Sequence, residues 1–240
     1  MGLRSSSSAL NRALQIALSG LQGDAFLYVD DVLVVSKTYP EHLEKLSRVF
    51  TRLEETRFVL NPKKCEFMKT PIKYLGFVLD EHGVRPDTSK LNAIIDFPTP
   101  KSVRDVRAFL GFANYYRRHV PQMSELASPL VNLTKKNVEF VWSSECEEAF
   151  QSIKKSLLSY PVLRFPDFTK DFYLSTDASD FAISGVLEQK YGDDFHPIAF
   201  ISRQLNKAER NYSTTEKECL AIMWSFDNLR CYLLGHFTHV

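Results

Sequence analysis

The sequence predicts a mixed α/β protein, and three observations predict it. Apolar residues recur at helical spacing in some stretches and gather in short β-branched or aromatic runs in others. A proline-punctuated helical segment, "DFPTPKSVRDVRAFLGFANYYRRHVPQMSELASPLVNL", separates two strand-rich regions. Finally, 240 residues with 44% hydrophobic and 12% aromatic content suffice for one large domain or two ordinary ones.

The elements follow in order. Ala9, Leu10, Ala13, Leu14, Ile16, Ala17 and Leu21 mark a first helix, closed by Gly20 and Gly23. Ala25–Val29 and Val32–Ser36 read as strands of a tight hairpin with Asp30 and Asp31 between them. Leu43, Leu46, Val49, Phe50 and Leu53 give one face of a helix over Glu41–Arg57. "KYLGFVLDEHGVRP" holds two runs around an Asp-Glu-His-Gly turn, a second hairpin. After Pro98 and Pro100 a helix carries Val103, Val106, Phe109, Leu110 and Ala113, ends at Pro121, and is followed by a shorter one over Glu125–Leu133. Ser144-x-x-Glu147 has capping-box spacing ahead of Ala149, Phe150, Ile153 and Leu157. Strands Phe172–Thr176, Ala182–Gln189 and Pro197–Arg203 then precede a long helix over Thr214–Leu234, with a boundary expected near residues 135–165.

Net charge of +1 names no partner, but between Lys101 and Lys136 seven Lys/Arg face two acids. Charge alone reads first as a solvated helix face. The four cysteines, Cys65, Cys146, Cys219 and Cys231, form no C-x-x-C pair, so neither a zinc site nor a disulfide framework is expected. Reduced thiols, no membrane-length apolar run and no signal-peptide layout point to an intracellular protein.

"FLYVDDVLVV" sets two carboxylates inside an apolar run. Adjacent carboxylates at a hairpin tip make a hard-oxygen site suited to Mg²⁺ (or Mn²⁺), and the cation would let both stay ionised. Two such ions about 3.5–4 Å apart stabilise the attacking and leaving oxygens of phosphoryl transfer. The bare dipeptide also reads as a solvated turn; Tyr28-Val29-Asp30-Asp31 between apolar strands is more specific. Further on, Asp177 in "YLSTDASDFAISGVLEQ" ends a β-run, and Glu216 and Glu218 open a helix in "YSTTEKECLAIMW". An acid from the strand end and one from the helix could share a metal. Spacing alone favours the plainer reading, an exposed Asp and acids that suit a helix's first turn through its dipole.

Tyr28-Val29-Asp30-Asp31 resembles the Y-x-D-D motif of reverse transcriptases, and its surroundings resemble the Pol polyprotein of gypsy-type LTR retrotransposons. "GLRSSSSALNRAL" is similar to a segment that contacts nucleotide and template, and "LNPKKCEFMKTPIKYLGFVLDEHGVRPD" to the palm's end and primer-gripping hairpin. In that hairpin Phe77 replaces the usual His, a departure affecting no catalytic role. "PTPKSVRDVRAFLGFANYYRRHVP" resembles the thumb and "WSSECEEAFQSIKKSL" the connection. Thr176-Asp177-Ala178-Ser179 and Glu218-Cys219-Leu220-Ala221-Ile222 resemble the first two acidic motifs of retroelement ribonuclease H. Glu218 is chosen over Glu216 because it stands three residues before Ala-Ile; on a helix the two cannot face one metal.

The resemblance implies a partial palm over residues 1–90, a helical thumb over 91–140, a connection over 141–165 and an incomplete ribonuclease H-like domain over 166–240. It implies Asp30, Asp31, Asp177 and Glu218 as catalytic metal ligands for Mg²⁺ (or Mn²⁺). It implies Tyr28, Arg104, Arg107, Arg117 and Arg118 as nucleic-acid contacts, with Tyr115 and Tyr116 in core packing. The expected partners are RNA template, DNA primer, RNA–DNA hybrid, deoxynucleoside triphosphates and the remainder of a Pol polyprotein, with no membrane. The family's enzymes need one further aspartate for polymerase and two for ribonuclease H that these residues do not supply, so this chain alone is expected to be inactive. The alternative is a truncated or degenerate fragment that at most binds nucleic acid. A reverse transcriptase of another kind, such as an intron-encoded one, would leave the ribonuclease H-like tail unexplained.

Overall fold

The computed structural model describes residues 5–159 and 161–240. These residues divide into two compact units, 1–68 and 69–240.

In the first unit, helix α1 (Ser6–Ala17) precedes a hairpin of β1 (Ala25–Tyr28) and β2 (Asp31–Val34), then α2 (Tyr39–Glu55). Helix α2 starts at Tyr39 because the Thr38 side chain accepts a hydrogen bond from the Glu41 amide, and Pro40 suits the first turn. Leu14 and Leu18 meet Val49 and Leu53, and Ala25, Leu27, Val32, Val34 and Phe58 close that core.

The second unit opens with a three-stranded antiparallel sheet: β3 (Ile72–Tyr74), β4 (Phe77–Asp80) and β5 (Gly83–Pro86). The sequence reading gave this region two runs; a tight turn at Leu75-Gly76 divides the first of them. Both turn residues have positive φ, 48° and 75°, as in a type I′ hairpin. Helix α3 (Thr88–Ile95), capped by Asp87, was not anticipated. Then come α4 (Val103–Tyr115), a 3₁₀ turn at Arg117–His119, α5 (Met123–Leu126), α6 (Ser128–Leu133) and α7 (Ser144–Leu158).

One core runs through these helices, from Leu91 to Leu157, with the Phe109 and Phe150 rings tilted against each other, centroids 4.5 Å apart. It therefore joins the expected thumb (91–140) to the expected connection (141–165), and the second hairpin lies in the same unit. Helix α7 is capped by Ser143, one residue before the expected Ser144. Glu147 accepts instead from Trp142 Nε1 and Gln151, both at 2.8 Å, so the expected capping box does not form.

A second sheet follows, with β6 (Phe172–Ala178), β7 (Ala182–Tyr191) and β8 (Asp194–Gln204) in antiparallel order. Helix α8 (Thr214–Asn228) and short α9 (Arg230–Leu233) replace the single expected helix, and β9 (Thr238–His239) pairs in parallel with β6. The strand order is β8-β7-β6-β9. Only Phe172 and Tyr173 of β6 are covered by β9.

Two glycines permit close backbone approaches. A Cβ on Gly83, whose φ is 136°, would stand 2.1 Å from the Leu163 carbonyl oxygen, where Val84 and Leu163 exchange backbone hydrogen bonds. A Cβ on Gly185 would stand 2.7 Å from Ser225 Oγ, which seats α8 tightly on β7.

Candidate functional site

In the first hairpin Ala25 opposes Val34, Phe26 Leu33, Leu27 Val32 and Tyr28 Asp31. Ala25, Leu27, Val32 and Val34 face the core, so Phe26, Tyr28 and Asp31 share the outer face. The turn is Val29-Asp30, one residue earlier than the expected Asp30-Asp31 tip. Asp30 stands in the turn and Asp31 begins β2. Val29 has φ of 55°, a left-handed conformation that costs a β-branched residue on the order of 1–3 kcal/mol. The scaffold holds this strain from below. Lys45 Nζ donates to the Val35 carbonyl at 2.9 Å, and Arg48 pairs with Asp24 at 2.9 Å. Both aspartates and Tyr28 are exposed, and no hydrogen bond or ion pair engages the two carboxylates among the described residues.

The second site belongs to the other unit. Asp177 opposes Ser184 and Thr176 opposes Gly185. Gly185 faces α8, so alternation puts Asp177 and Ser184 on the sheet's other face. There a cleft of about 330 Å³ is lined by Pro121, Gln122, Ser175, Thr176, Asp177 and Ser184, among others. Gln122 Nε2 donates to Asp177 Oδ2 at 3.1 Å. Glu218 is half-buried on α8. Lys217, buried beside it, pairs with Asp180 at 2.7 Å, which ties the first turn of α8 to the β6–β7 turn. Asp177 and Glu218 therefore lie at the same end of the sheet, though no hydrogen bond joins them to each other. Glu216 is otherwise engaged: it forms a capping box with Ser213, accepting from the Ser213 amide and hydroxyl at 2.8 Å each. That box was legible as Ser213-Thr-Thr-Glu216.

The arginines divide. Arg107 donates to the Thr134 carbonyl at 3.0 Å, Arg117 to the Ser202 carbonyl, and Arg118 to Tyr232 Oη at 3.4 Å. Arg104 is exposed and makes no side-chain hydrogen bond or ion pair among the described residues. Tyr116 is buried. Tyr115 is half exposed, but its hydroxyl donates to the Leu75 carbonyl at 2.5 Å. Phe77 stacks on Tyr115 and His119, so this position binds the β3–β4 turn to α4.

Both carboxylate pairs offer only oxygen donors, which fits a hard divalent cation. Asp30 and Asp31 share one hairpin, whereas Asp177 lies on the sheet face away from α8, the helix that carries Glu218, and no contact joins these two among the described residues. No group of three or more His, Cys, Asp or Glu side chains able to hold a metal ion occurs among the described residues.

Residues 1–79 match the family described as "Reverse transcriptase (RNA-dependent DNA polymerase)", and residues 142–240 match "RNase H-like domain found in reverse transcriptase". Two separate stretches of the chain thus match reverse transcriptase and RNase H-like family models. The chain is similar to part of the retrovirus-related Pol polyprotein from transposon 412 of Drosophila melanogaster, at 37% identity over 99% of this chain and 19% of that protein. The polyprotein from transposon 297 of the same organism gives 39% identity over 98% of the chain and 22% of its own length. The chain thus spans about a fifth of the curated relatives it matches. Among solved structures, the foamy viral protease-reverse transcriptase in complex with RNA/DNA hybrid aligns with a TM-score of 0.81 at 23% identity, over 99% of this chain and 32% of that one. The foamy viral protease-reverse transcriptase dRH in complex with double-stranded DNA gives a TM-score of 0.82 at 23% identity, over 97% of this chain and 41% of that one. At that identity the likeness shows the reverse transcriptase and RNase H-like fold.

Proposed function

We propose that the chain is part of a gypsy-type LTR retrotransposon Pol polyprotein and serves RNA-directed DNA synthesis and RNA-strand cleavage in RNA–DNA hybrids. The observation that carries this is the strained Val29-Asp30 turn, which presents two unpartnered carboxylates on a rigid two-helix scaffold. In the full polyprotein Asp30 and Asp31 would hold Mg²⁺ (or Mn²⁺) while a primer 3′-hydroxyl attacks a deoxynucleoside triphosphate. The cation would supply the positive charge that stabilises the attacking and leaving oxygens. Asp177 and Glu218 would do the same for water attack on RNA. The exposed Tyr28 ring shares a face with Asp31 and suits contact with a base or sugar. No helix among the described residues is long and apolar enough to cross a membrane, and the four cysteines are free, which suits an intracellular retroelement protein.

With two carboxylates at each place and no group of three among the described residues, this chain by itself would bind nucleic acid without turning over. Two assays test the reading. RNA–DNA hybrid binding, followed by fluorescence anisotropy at low salt, is expected, whereas primer extension on an RNA template with Mg²⁺ or Mn²⁺ is not. Failure to bind hybrid would overturn the nucleic-acid role. Extension that disappears in Asp30→Asn would overturn the claim of an incomplete site.

A further inference from the structure

The segment from Arg117 to Ser124 lies against the second sheet and is fastened to it three times. Arg117 donates to the Ser202 carbonyl, the Ser124 amide donates to Ser202 Oγ at 2.9 Å, and Ser202 Oγ donates to Ser124 Oγ at 3.1 Å. Ser202 is itself buried. Between these anchors Gln122 takes a left-handed conformation, φ 49° and ψ 32°, which a side chain of its kind seldom adopts. Val120 before it is buried, and Met123 after it is buried in the helical core. The anchors and the backbone geometry together aim the Gln122 amide across the cleft at Asp177 Oδ2, 3.1 Å away.

We infer that Gln122 is a positioning residue for Asp177, fixing the carboxylate so that its second oxygen faces the cleft. This rests on the reading of Asp177 as a metal ligand. A carboxylate can rotate about its Cα–Cβ and Cβ–Cγ bonds, and an outer hydrogen bond that removes this freedom strengthens ligation. Gln122 donates a neutral N–H, so it orients the carboxylate without cancelling the charge that attracts a cation. A lysine there would cancel it. The strap also makes the orientation depend on residues 55 positions away in sequence, on the helical part of the unit.

The test reads the metal directly. Fe²⁺, standing in for Mg²⁺, is added to the whole chain with ascorbate and peroxide, and backbone cleavage around residues 175–185 is mapped by mass spectrometry. Wild type should be cut there with a saturable Fe²⁺ dependence, and Asp177→Asn should not. Gln122→Met keeps length and bulk but has no donor, and should require roughly 10–100-fold more Fe²⁺. Gln122→Glu, which adds an oxygen ligand, should require no more than wild type. Unfolding midpoints of both variants, measured in parallel, report any purely structural effect. If wild type is cut and Gln122→Met matches it at every Fe²⁺ concentration, the positioning role is wrong although Asp177 binds metal. If wild type and Asp177→Asn are equally uncut, the metal reading of Asp177 fails, and the role of Gln122 with it.

Discussion

Lowering the pH from 7.5 to 5 should destabilise the second unit through one imidazole, His119. This ring is 2% exposed, stacked 5.5 Å from Phe77, with Nε2 3.3 Å from the Val84 carbonyl. Burial holds its pKa down at about 4, against 6.5 for a free side chain. The folded state therefore prefers the neutral ring. Its contribution is complete above the unfolded pKa and is lost as the pH falls from about 6.5 towards 4, because the unfolded chain takes up the proton first. At 1.36 kcal/mol per unit, the loss between pH 7.5 and 5 is about 2 kcal/mol and levels off near ~3 kcal/mol below pH 4. The comparison is with His119→Phe, which can still stack on Phe77 but cannot titrate. Asp80 and Asp87, held low, and Glu188, raised by burial, are common to both proteins and cancel in the difference. Urea unfolding would be followed by tryptophan emission, since Trp142 packs against Phe150 in the same core. Wild type should lose about 2 kcal/mol more than His119→Phe over this interval. A stability difference constant to within ~0.5 kcal/mol would refute the buried neutral imidazole.

Four further outcomes are expected. Gly83→Ala should lower the unfolding midpoint and cost more than about 1 kcal/mol, because both the φ of 136° and the Leu163 carbonyl oppose a Cβ; an unchanged midpoint would show that β5 and residues 161–165 are not bridged. Ser225→Ala should stabilise by up to ~1 kcal/mol in the same urea assay, since Ser225 Oγ is buried without a hydrogen-bond partner among the described residues and nothing is lost with it. Arg104→Ala should reduce the slope of log K against log salt for hybrid binding by roughly 0.7–0.9 while leaving stability alone. Arg117→Ala should instead lower the unfolding midpoint, as its guanidinium serves the Ser202 carbonyl, and the reverse pattern would exchange the two roles.

The strands and helices were legible wherever burial imposes a period. Leu14, Val49 and Leu53 announce a helical pair, and Phe172, Leu174 and Leu187 a buried sheet. What escaped was set by backbone geometry without its usual residue. Val29 takes a positive φ where Gly or Asn would have signalled a turn, so the first hairpin tip falls one residue before the expected one; at Leu75-Gly76 the glycine marks the turn, but the apolar run continues straight through it. Ser143 and Ser144 are both competent caps, and the choice between them depends on Trp142 claiming Glu147. Among the site residues, Asp30, Asp31, Asp177 and Glu218 could be picked by motif. Gln122 could not, because its meeting with Asp177 exists only after the Arg117–Ser124 segment has docked. The basic stretch shows the converse. Its charge was visible, but the sequence did not reveal that three of its arginines hold the fold together.

The Tyr28–Asp31 register makes the first hairpin a segment of fixed length. Its strands are four residues each, with alternate side chains committed to opposite faces. Inserting or deleting one residue between Val32 and Val34 would turn the flanking positions over, sending an apolar side chain to solvent or Asp31 against Leu14 and Val49. Point substitutions here can be graded, but a single codon gained or lost cannot. In a scan of in-frame insertions and deletions, this stretch should be among the least tolerant of the first unit, while residues 59–61, exposed beyond the core residue Phe58 and unconstrained by strand pairing, should accept them.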